Sequence, residues 1–288
     1  MNRALFCGGA AAALAWPLPG HATTYDRLEA IAHAVPGVLG VCCRTLGDGP
    51  PAFTYNATEQ FPTASTIKVL IAATAFHAEE REPGSLDAVI TTHRRDLIGG
   101  SDFMSQQPDG ARFTVRELLV PMIQVSDNTA SNLLISHFGF DAINRMGVAA
   151  GMTSTVMARH FLDFRAIVEH NDNVTTPADM ATLLFAVGRG AHEGTTTILS
   201  AAHCRSIVRL MLGQTDRDAI PAGLPRYVTV ANKTGEIDGT RNDVAIVSPF
   251  GNAPYVLTVY TKWLTNDDAG YAAIHRIARL SYDLVGRA

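Results

Sequence analysis

A serine and a lysine three residues apart could together carry out acyl transfer. They lie in the stretch Pro62-Thr63-Ala64-Ser65-Thr66-Ile67-Lys68, at the start of an apolar run. Residues three apart share a face of a helix, so the Lys68 amine would lie beside the Ser65 hydroxyl. A lysine among apolar side chains has a lowered pKa and can act as a base. Taken alone, however, the pair is more simply explained by a capping serine and a solvated lysine.

Two further short motifs carry residue types that suit the same chemistry. Ser126-Asp127-Asn128 lies between two helical stretches, where Ser and Asp are also ordinary helix N-caps. Lys233-Thr234-Gly235 ends a predicted strand, where a lysine is usually solvated and a glycine permits bending. Each tripeptide is weak evidence by itself. Their occurrence together, in this order after Ser65 and Lys68, favours a shared catalytic site.

The elements that must position these motifs can be predicted from periodicity and turn residues. Residues 24–34 form an amphipathic pattern, and residues 38–46 and 52–55 are rich in strand formers. From about residue 65 to 212 the pattern is helical, with a capping box at Thr114-Val115-Arg116-Glu117 and Pro177 in a first helical turn. Strands are predicted at 227–233, 243–248 and 255–263, followed by a closing helix over 268–285.

This order of elements predicts an α/β fold of two subdomains. Strands from both chain ends would form one sheet flanked by helices, with an all-helical unit inserted between them. We expect one catalytic domain over residues 23–288, with an α/β part at about 24–60 and 213–288 and an all-α part at about 61–212. A cleft between the two parts is where a site is expected.

The N-terminus predicts export. A short basic start at Asn2 and Arg3 precedes a mostly apolar stretch, and Gly20-His21-Ala22 offers small residues for signal peptidase. We therefore predict a signal peptide over residues 1–22 and a periplasmic or secreted protein without a stable membrane span after cleavage. The alternative is an uncleaved anchor helix, although the apolar run is too short to span a membrane comfortably. The net charge of −4 gives no reason to expect nucleic acid or an anionic membrane as partner. A monomer is expected.

Three cysteines remain after the predicted signal peptide. Cys42 and Cys43 are adjacent in a predicted strand, so their side chains should point to opposite faces. Cys204 lies in a predicted helix. A bridge from Cys204 to one of the other two suits an oxidising compartment, and burial as small hydrophobic residues is the alternative. The ten histidines show no ligand spacing, so neither a metal nor another cofactor is predicted.

The combined motifs resemble the class A β-lactamases and related penicillin-recognising serine hydrolases. The similarity runs from about Thr24 to the C-terminus and includes TASTIKVLIAAT, VSDNTASNLLI, NVTTPADMATLL and KTGEIDGTRNDVAIV. The resemblance implies a β-lactamase/transpeptidase-like fold with an antiparallel sheet. It also implies hydrolysis of a cyclic amide through an acyl-serine, and hence a role in antibiotic resistance.

The resemblance assigns a role to each motif residue. Ser65 would be the nucleophile and Lys68 its base, while Ser126, assisted by Lys233, would protonate the leaving nitrogen. Asn128 would hold Lys68 and the substrate amide. The backbone N–H groups of Ser65 and Glu236 would form an oxyanion hole. Further substrate contacts, including those to a substrate carboxylate, are expected from Thr234, Gly235, Glu236 and Arg241.

The chain departs from the family in the loop that normally supplies a deacylation base. The usual Glu-x-x-Leu-Asn is absent from the corresponding stretch, residues 158–166, and the glutamate position falls near Phe161. Asp163 is the nearest carboxylate, so it is a candidate replacement base. Alternatively, Asp163 pairs with Arg159 and holds the loop. Glu236 also takes a place that is normally small or hydroxylic.

These departures leave three functions open. The first is a β-lactamase with slow deacylation. The second is a DD-peptidase acting on the D-Ala-D-Ala stems of peptidoglycan, because some relatives of that kind lack the glutamate. The third is a penicillin-recognising binding or sensor module, against which stands the presence of every reactive motif residue. The expected ligand is a small β-lactam or a stem peptide.

Overall fold

A five-stranded antiparallel sheet forms the centre of the computed structural model, which describes residues 23–194 and 198–287. The order across the sheet is β2-β1-β9-β8-β7. Its strands are β1 (Val38–Thr45), β2 (Phe53–Tyr55), β7 (Val230–Ile237), β8 (Thr240–Val247) and β9 (Tyr255–Lys262). Two small antiparallel pairs lie outside it, formed by β3 (Phe61–Pro62) with β6 (Val174–Thr175) and by β4 (Val89–Thr91) with β5 (Arg112–Thr114).

Helices cover both faces of this sheet. The helices are α1 (Thr24–His33), α2 (Lys68–Arg81), α3 (Val115–Gln124), α4 (Asn128–Phe138), α5 (Phe140–Ala149), α6 (Phe164–Val168), α7 (Pro177–Glu193), α8 (Ala201–Leu212) and α9 (Asp267–Ser281). A π-turn, Tyr282–Gly286, extends α9. Among the described residues, no helix is long and apolar enough to cross a bilayer.

The core consists of two apolar clusters that lie on opposite faces of the sheet. One cluster packs the sheet against α2, α3, α4, α7 and α8, and the other packs it against α1 and α9. Strand alternation decides the face: Cys42 belongs to the first cluster and its neighbour Cys43 to the second. Cys42, Cys43 and Cys204 are all buried free thiols, which agrees with the small-hydrophobe interpretation rather than with a bridge.

Local sequence signals explain several helix starts. The Thr114 hydroxyl accepts from the N–H of Glu117, and the Glu117 carboxylate accepts from the N–H of Thr114, as the capping box predicts. Thr176 caps α7, and Pro177 occupies the first turn, where its missing N–H leaves no bond unmade. These caps fix where α3 and α7 begin, and both helices belong to the all-helical part of the chain.

The predicted fold class is confirmed. The sheet combines strands from residues 38–55 and 230–262, and helices α2 to α8 lie between them along the chain. The exact subdomain boundaries stay a prediction, and the predicted signal peptide over residues 1–22 lies outside the described residues. The strand predicted over 227–233 instead covers Val230–Ile237, so Lys233-Thr234-Gly235 lies within β7.

Candidate active site

Ser65 lies in a tight 3₁₀ turn, Ala64–Ile67, that leads directly into α2. The sequence predicts a helical pattern from about residue 65, whereas the α-helix begins only at Lys68. Ala64 adopts φ +45°, a left-handed conformation that costs a non-glycine residue about 1–2 kcal/mol. Such strain is typical of active sites. Ser65 itself is partly exposed, so its hydroxyl can be reached from solvent.

Lys68 is fully buried at the first turn of α2, one turn after Ser65. Its amine donates to the carbonyl of Ser126 at 2.6 Å, to the hydroxyl of Ser126 at 3.1 Å and to Oδ1 of Asn128 at 2.9 Å. Burial lowers the pKa of Lys68 well below its usual value, and the charge of Lys233 lowers it further, against the opposing effect of Asp127. Lys68 is therefore suited to act as a base.

The hydroxyl of Ser126 lies between two lysine amines. Nζ of Lys68 is 3.1 Å away and Nζ of Lys233 is 3.0 Å away. Ser126 adopts φ +58° in the turn between α3 and α4, so the backbone at this reactive position is also left-handed. A hydroxyl bridging two amines can relay a proton from one side of the site to the other.

Lys233 is fully buried within β7, the edge strand that borders the cleft. Burial lowers its pKa to about 8, although the carboxylates of Asp243, Asp216 and Glu236 favour its charged form. Its amine also donates to the carbonyl of Thr234 at 2.9 Å. The site therefore places one amine whose charged form is strongly disfavoured beside a second, with a pKa of about 8, that remains largely charged at neutral pH.

Asn128 links the base to the segment that precedes Gly100. Its Oδ1 accepts from Lys68, and its Nδ2 donates to the carbonyl of Gly99 at 3.0 Å. Asp127, which the sequence interpretation left without a catalytic role, is fully buried and caps α4 through the N–H of Ala130. It also accepts from the N–H of Met104, so it holds the motif turn against a neighbouring segment.

Strand β7 approaches the nucleophile closely at Gly235. A Cβ there would lie 3.0 Å from the backbone nitrogen of Ser65, from the carbonyl oxygen of Thr63 and from Cγ2 of Thr66. A side chain at this position would crowd the Ser65 backbone and require its neighbours to move by a few tenths of an ångström, which favours glycine here. The close approach brings Thr234, Gly235 and Glu236 to the side of Ser65, as the three motifs together predicted.

A buried carboxylate supports Lys233 from the neighbouring strand, and no motif had indicated it. Asp243 on β8 accepts from the N–H of Ile220 at 2.8 Å and from Nδ2 of Asn232. Burial raises its pKa to about 7. Nothing in the Asp-Val-Ala sequence separates this residue from an ordinary strand position, because its role depends on pairing with β7.

Phe161 occupies the place where the family's loop glutamate was expected. Its ring is buried and lies 4.4 Å from Nζ of Lys68. The side chain of Asn132 fixes the loop by accepting from the Phe161 N–H at 2.8 Å and donating to its carbonyl at 3.2 Å. The Lys68 side of the site, called the base side below, therefore faces an aromatic ring instead of a carboxylate.

The prediction that Arg159 pairs with Asp163 is wrong. Arg159 bonds to Oδ1 of Asp172, at 2.7 Å from Nη2 and 2.8 Å from Nε. Asp163 is exposed and caps the short helix α6 by accepting from the N–H of Ala166 at 3.1 Å. Helix capping accounts for this carboxylate, which does not line either half of the cleft described below.

Arg241 is placed differently from the expected carboxylate contact. Its guanidinium donates to Asp267 at 2.6 Å and to the carbonyls of Ile237 and Thr240. These bonds brace the β7–β8 turn. Glu236 accepts a short hydrogen bond from the hydroxyl of Tyr271, which offsets part of its charge at the edge of the cleft.

The cleft around Ser65 has two halves. The loop half encloses about 450 Å³ and is lined by Phe161, Leu162 and Phe164, among others. The motif half encloses about 300 Å³ and includes Ser126 and Thr234. Both halves share Ser65, Asn128 and Glu236, so a group bound at Ser65 can extend in two directions. Within the described ranges, no cluster of three or more His, Cys, Asp or Glu residues is arranged to hold a metal.

Comparisons with known proteins place the chain among related hydrolases. A model described as the beta-lactamase enzyme family matches residues 23–285. A carbapenem-hydrolyzing beta-lactamase, KPC, of Klebsiella oxytoca is 33% identical over 284 residues, which cover 95% of this chain and 94% of that protein.

Two solved structures are similar in fold and in sequence. An ancestral class A beta-lactamase has a TM-score of 0.81 and 31% identity, over 91% of this chain and 99% of the other. A leucine-to-glutamate mutant of PBP-A, solved as the acyl-enzyme complex with penicillin G, has a TM-score of 0.80 and 25% identity, over 90% and 94%.

Proposed function

The chain belongs to the beta-lactamase enzyme family, and we propose that it opens β-lactam rings by forming an acyl-enzyme on Ser65. It is a hydrolase that acts on the cyclic amide of β-lactams. The single observation that supports this assignment of residues best is the Ser126 hydroxyl, held within 3.1 Å of two buried lysine amines beside the Ser65 turn. Two such amines at one hydroxyl have little structural use, because burying both is costly.

Acylation begins with a proton transfer from Ser65 to neutral Lys68. The Ser65 oxygen then bonds to the carbonyl carbon, and the backbone N–H groups of Ser65 and Glu236 stabilise the oxyanion. When the C–N bond breaks, the nitrogen takes the proton of Ser126, which regains one from Lys68 across the 3.1 Å hydrogen bond. Lys68 ends the step neutral, as it began.

Substrate binding would use the residues that surround this proton relay. Charged Lys233 attracts the substrate carboxylate, and Thr234, the next residue on β7, lines the motif half of the cleft. The Asn128 side chain would hold the substrate amide as well as Lys68. Since Arg241 is engaged by Asp267, we assign it the positioning of the β7–β8 turn rather than a direct contact.

We propose that deacylation is slow. Hydrolysis of the acyl-enzyme needs a base to activate water, and Phe161 offers none. The buried Phe161 ring, 4.4 Å from the Lys68 amine, would also leave less room for a water beside that amine. Acyl-enzyme should therefore accumulate with good substrates.

The same observation supports a second candidate, a DD-peptidase that acts on D-alanyl peptides. Such an enzyme needs acylation by Ser65 but gains nothing from rapid hydrolysis of a penicilloyl group. Release of D-alanine from a D-Ala-D-Ala peptide, measured beside β-lactam turnover, separates the two. Ser65-dependent peptide cleavage with a penicilloyl adduct that persists for hours would favour the peptidase.

We also propose that the protein is exported and monomeric. Export rests on the residue pattern of positions 1–22, with cleavage after Ala22. The N-terminal sequence of the mature protein from a periplasmic extract tests it, and retention of residue 1 in that fraction would contradict cleavage.

The experiment for the function itself follows the mass of the intact protein after penicillin is added. The result expected is a covalent adduct that disappears slowly and is absent from Ser65→Ala. A stoichiometric adduct on Ser65→Ala, or none on the unaltered protein with several β-lactams, would overturn the assignment.

A further inference from the structure

We propose that a groove beside the cleft is a substrate subsite. It would bind an aromatic arm that carries a positive charge, on the leaving-group side of a β-lactam. The groove, called the side groove below, has apolar walls formed by Phe103, Phe113, Val120, Pro121 and Val125. The inference rests on the proposed function, because it assumes that Ser65 attacks the lactam carbonyl.

The side groove is large and unusually apolar for an exposed surface. It encloses about 710 Å³, within the range of small-molecule sites. Phe103 is 40% exposed, Val120 41% and Val125 42%. Clustered exposed apolar side chains on a soluble protein usually mark a binding surface.

The side groove adjoins the motif half of the cleft. Asp102, Val125 and Thr215 line both cavities and form their common edge. Val125 directly precedes the proton-relay residue Ser126. Thr215 is held to the end of α3, since its backbone N–H and its hydroxyl both donate to the Gln124 carbonyl at 2.9 Å. The edge between cleft and groove is therefore fixed.

The motif half of the cleft takes the leaving side of the substrate. Ser126 hands its proton to the departing nitrogen, so that nitrogen must lie toward Ser126 and away from Phe161. The acyl side chain then extends into the loop half. A substituent attached beyond the nitrogen points past Ser126 toward the shared edge, and the side groove is the next apolar surface that it meets.

Charge selects a cationic arm. No Lys, Arg or His lines the side groove among the described residues, whereas Asp102 and Glu117 do. The Glu117 carboxylate is occupied by its capping box, but that of Asp102 makes no hydrogen bond or ion pair within the described ranges. An aromatic arm with a quaternary nitrogen would match both the walls and this carboxylate. Cephalosporins that carry a pyridinium-type arm on the six-membered ring belong to this class.

The test compares the second-order rate constant of acylation for three cephalosporins that share one acyl side chain. One carries a methyl group on the ring, one a neutral aryl arm and one a pyridinium-type arm. Each rate is compared between unaltered and variant protein, so that the intrinsic reactivity of each compound cancels. Phe103→Ala removes a wall and Val120→Arg blocks the groove with a cation. Phe250→Ala and Val148→Arg are matched controls at exposed positions outside the groove.

We expect both groove variants to slow acylation by the aryl-armed compounds about 10-fold and to leave the methyl compound unchanged. Val120→Arg should penalise the pyridinium arm more than the neutral arm. Both controls should behave as the unaltered protein. If all three compounds acylate every variant as fast as they acylate the unaltered protein, the subsite is refuted, while acylation of Ser65 still supports the proposed function. If no compound forms a Ser65 adduct, both are refuted.

Discussion

Replacing Phe161 by glutamate should convert a slowly deacylating enzyme into a faster one. The Phe161 ring lies 4.4 Å from Nζ of Lys68, and Asn132 fixes the backbone of the loop on both sides of it. In Phe161→Glu, a carboxylate would therefore stand at the base side of the cleft in place of the ring. Positioned general bases contribute about 10²- to 10⁴-fold, so the deacylation rate constant should rise by at least about 100-fold.

The same substitution should change acylation in the opposite direction. A carboxylate about 4 Å from the Lys68 amine stabilises its charged form by about 4 kcal/mol at an effective dielectric constant of about 20. That corresponds to a rise of about three units in the pKa of Lys68. Less of the lysine is then neutral near pH 7, so acylation should slow and its pH optimum should move upward.

Single-turnover mass spectrometry with penicillin separates the two effects, since it follows formation and loss of the adduct. Phe161→Gln is the matched control, because it has the same shape as the glutamate but no base and no charge. Thermal unfolding of both variants shows whether the loop tolerates the loss of the ring. Equal adduct lifetimes in the Glu and Gln variants would refute the view that the missing carboxylate limits deacylation.

Three further changes probe the rest of the site. The acylation rate constant should rise with pH as Lys68 loses its proton and fall above about pH 8 as Lys233 becomes neutral. In a stopped-flow profile, Lys233→Arg should move the falling limb to higher pH. A profile that is flat from pH 7 to 10 would contradict the charged role of Lys233. Gly235→Ala should slow acylation at least about 100-fold, because its Cβ would displace the Ser65 backbone, and unimpaired acylation would show that the close approach is dispensable. Asp163→Asn should leave the adduct lifetime unchanged, because asparagine caps α6 equally well, and a trapped adduct would identify Asp163 as the base.

The sequence was sufficient for the parts of the molecule that local chemistry decides. The capping box at Thr114 and the proline start of α7 appear in the structure where their residue types placed them. The meeting of Ser65, Lys68, Ser126 and Lys233 followed from the three motifs together, since no spacing along the chain links residue 126 to residue 233.

What the sequence could not give depends on the path of loops and on strand pairing. From the sequence, Asp163 could be a replacement base or the partner of Arg159, but the loop turns so that Asp172, thirteen residues from Arg159, bonds to the guanidinium. The strand is predicted to end at Lys233, since Gly235 permits a bend before the next strand. In the structure, the strand continues to Ile237 at the edge of the sheet, and its residues Thr234 and Glu236 line the cleft.

The central claim is that Ser65 forms a lasting acyl-enzyme with β-lactams. Its most direct test is a time course of intact mass after penicillin is added to the purified mature protein, with proteolytic mapping of the adduct. We predict one penicilloyl group per chain, located on Ser65 and decaying far more slowly than it forms. An adduct on another residue, or turnover of penicillin that continues in Ser65→Ala, would contradict the account.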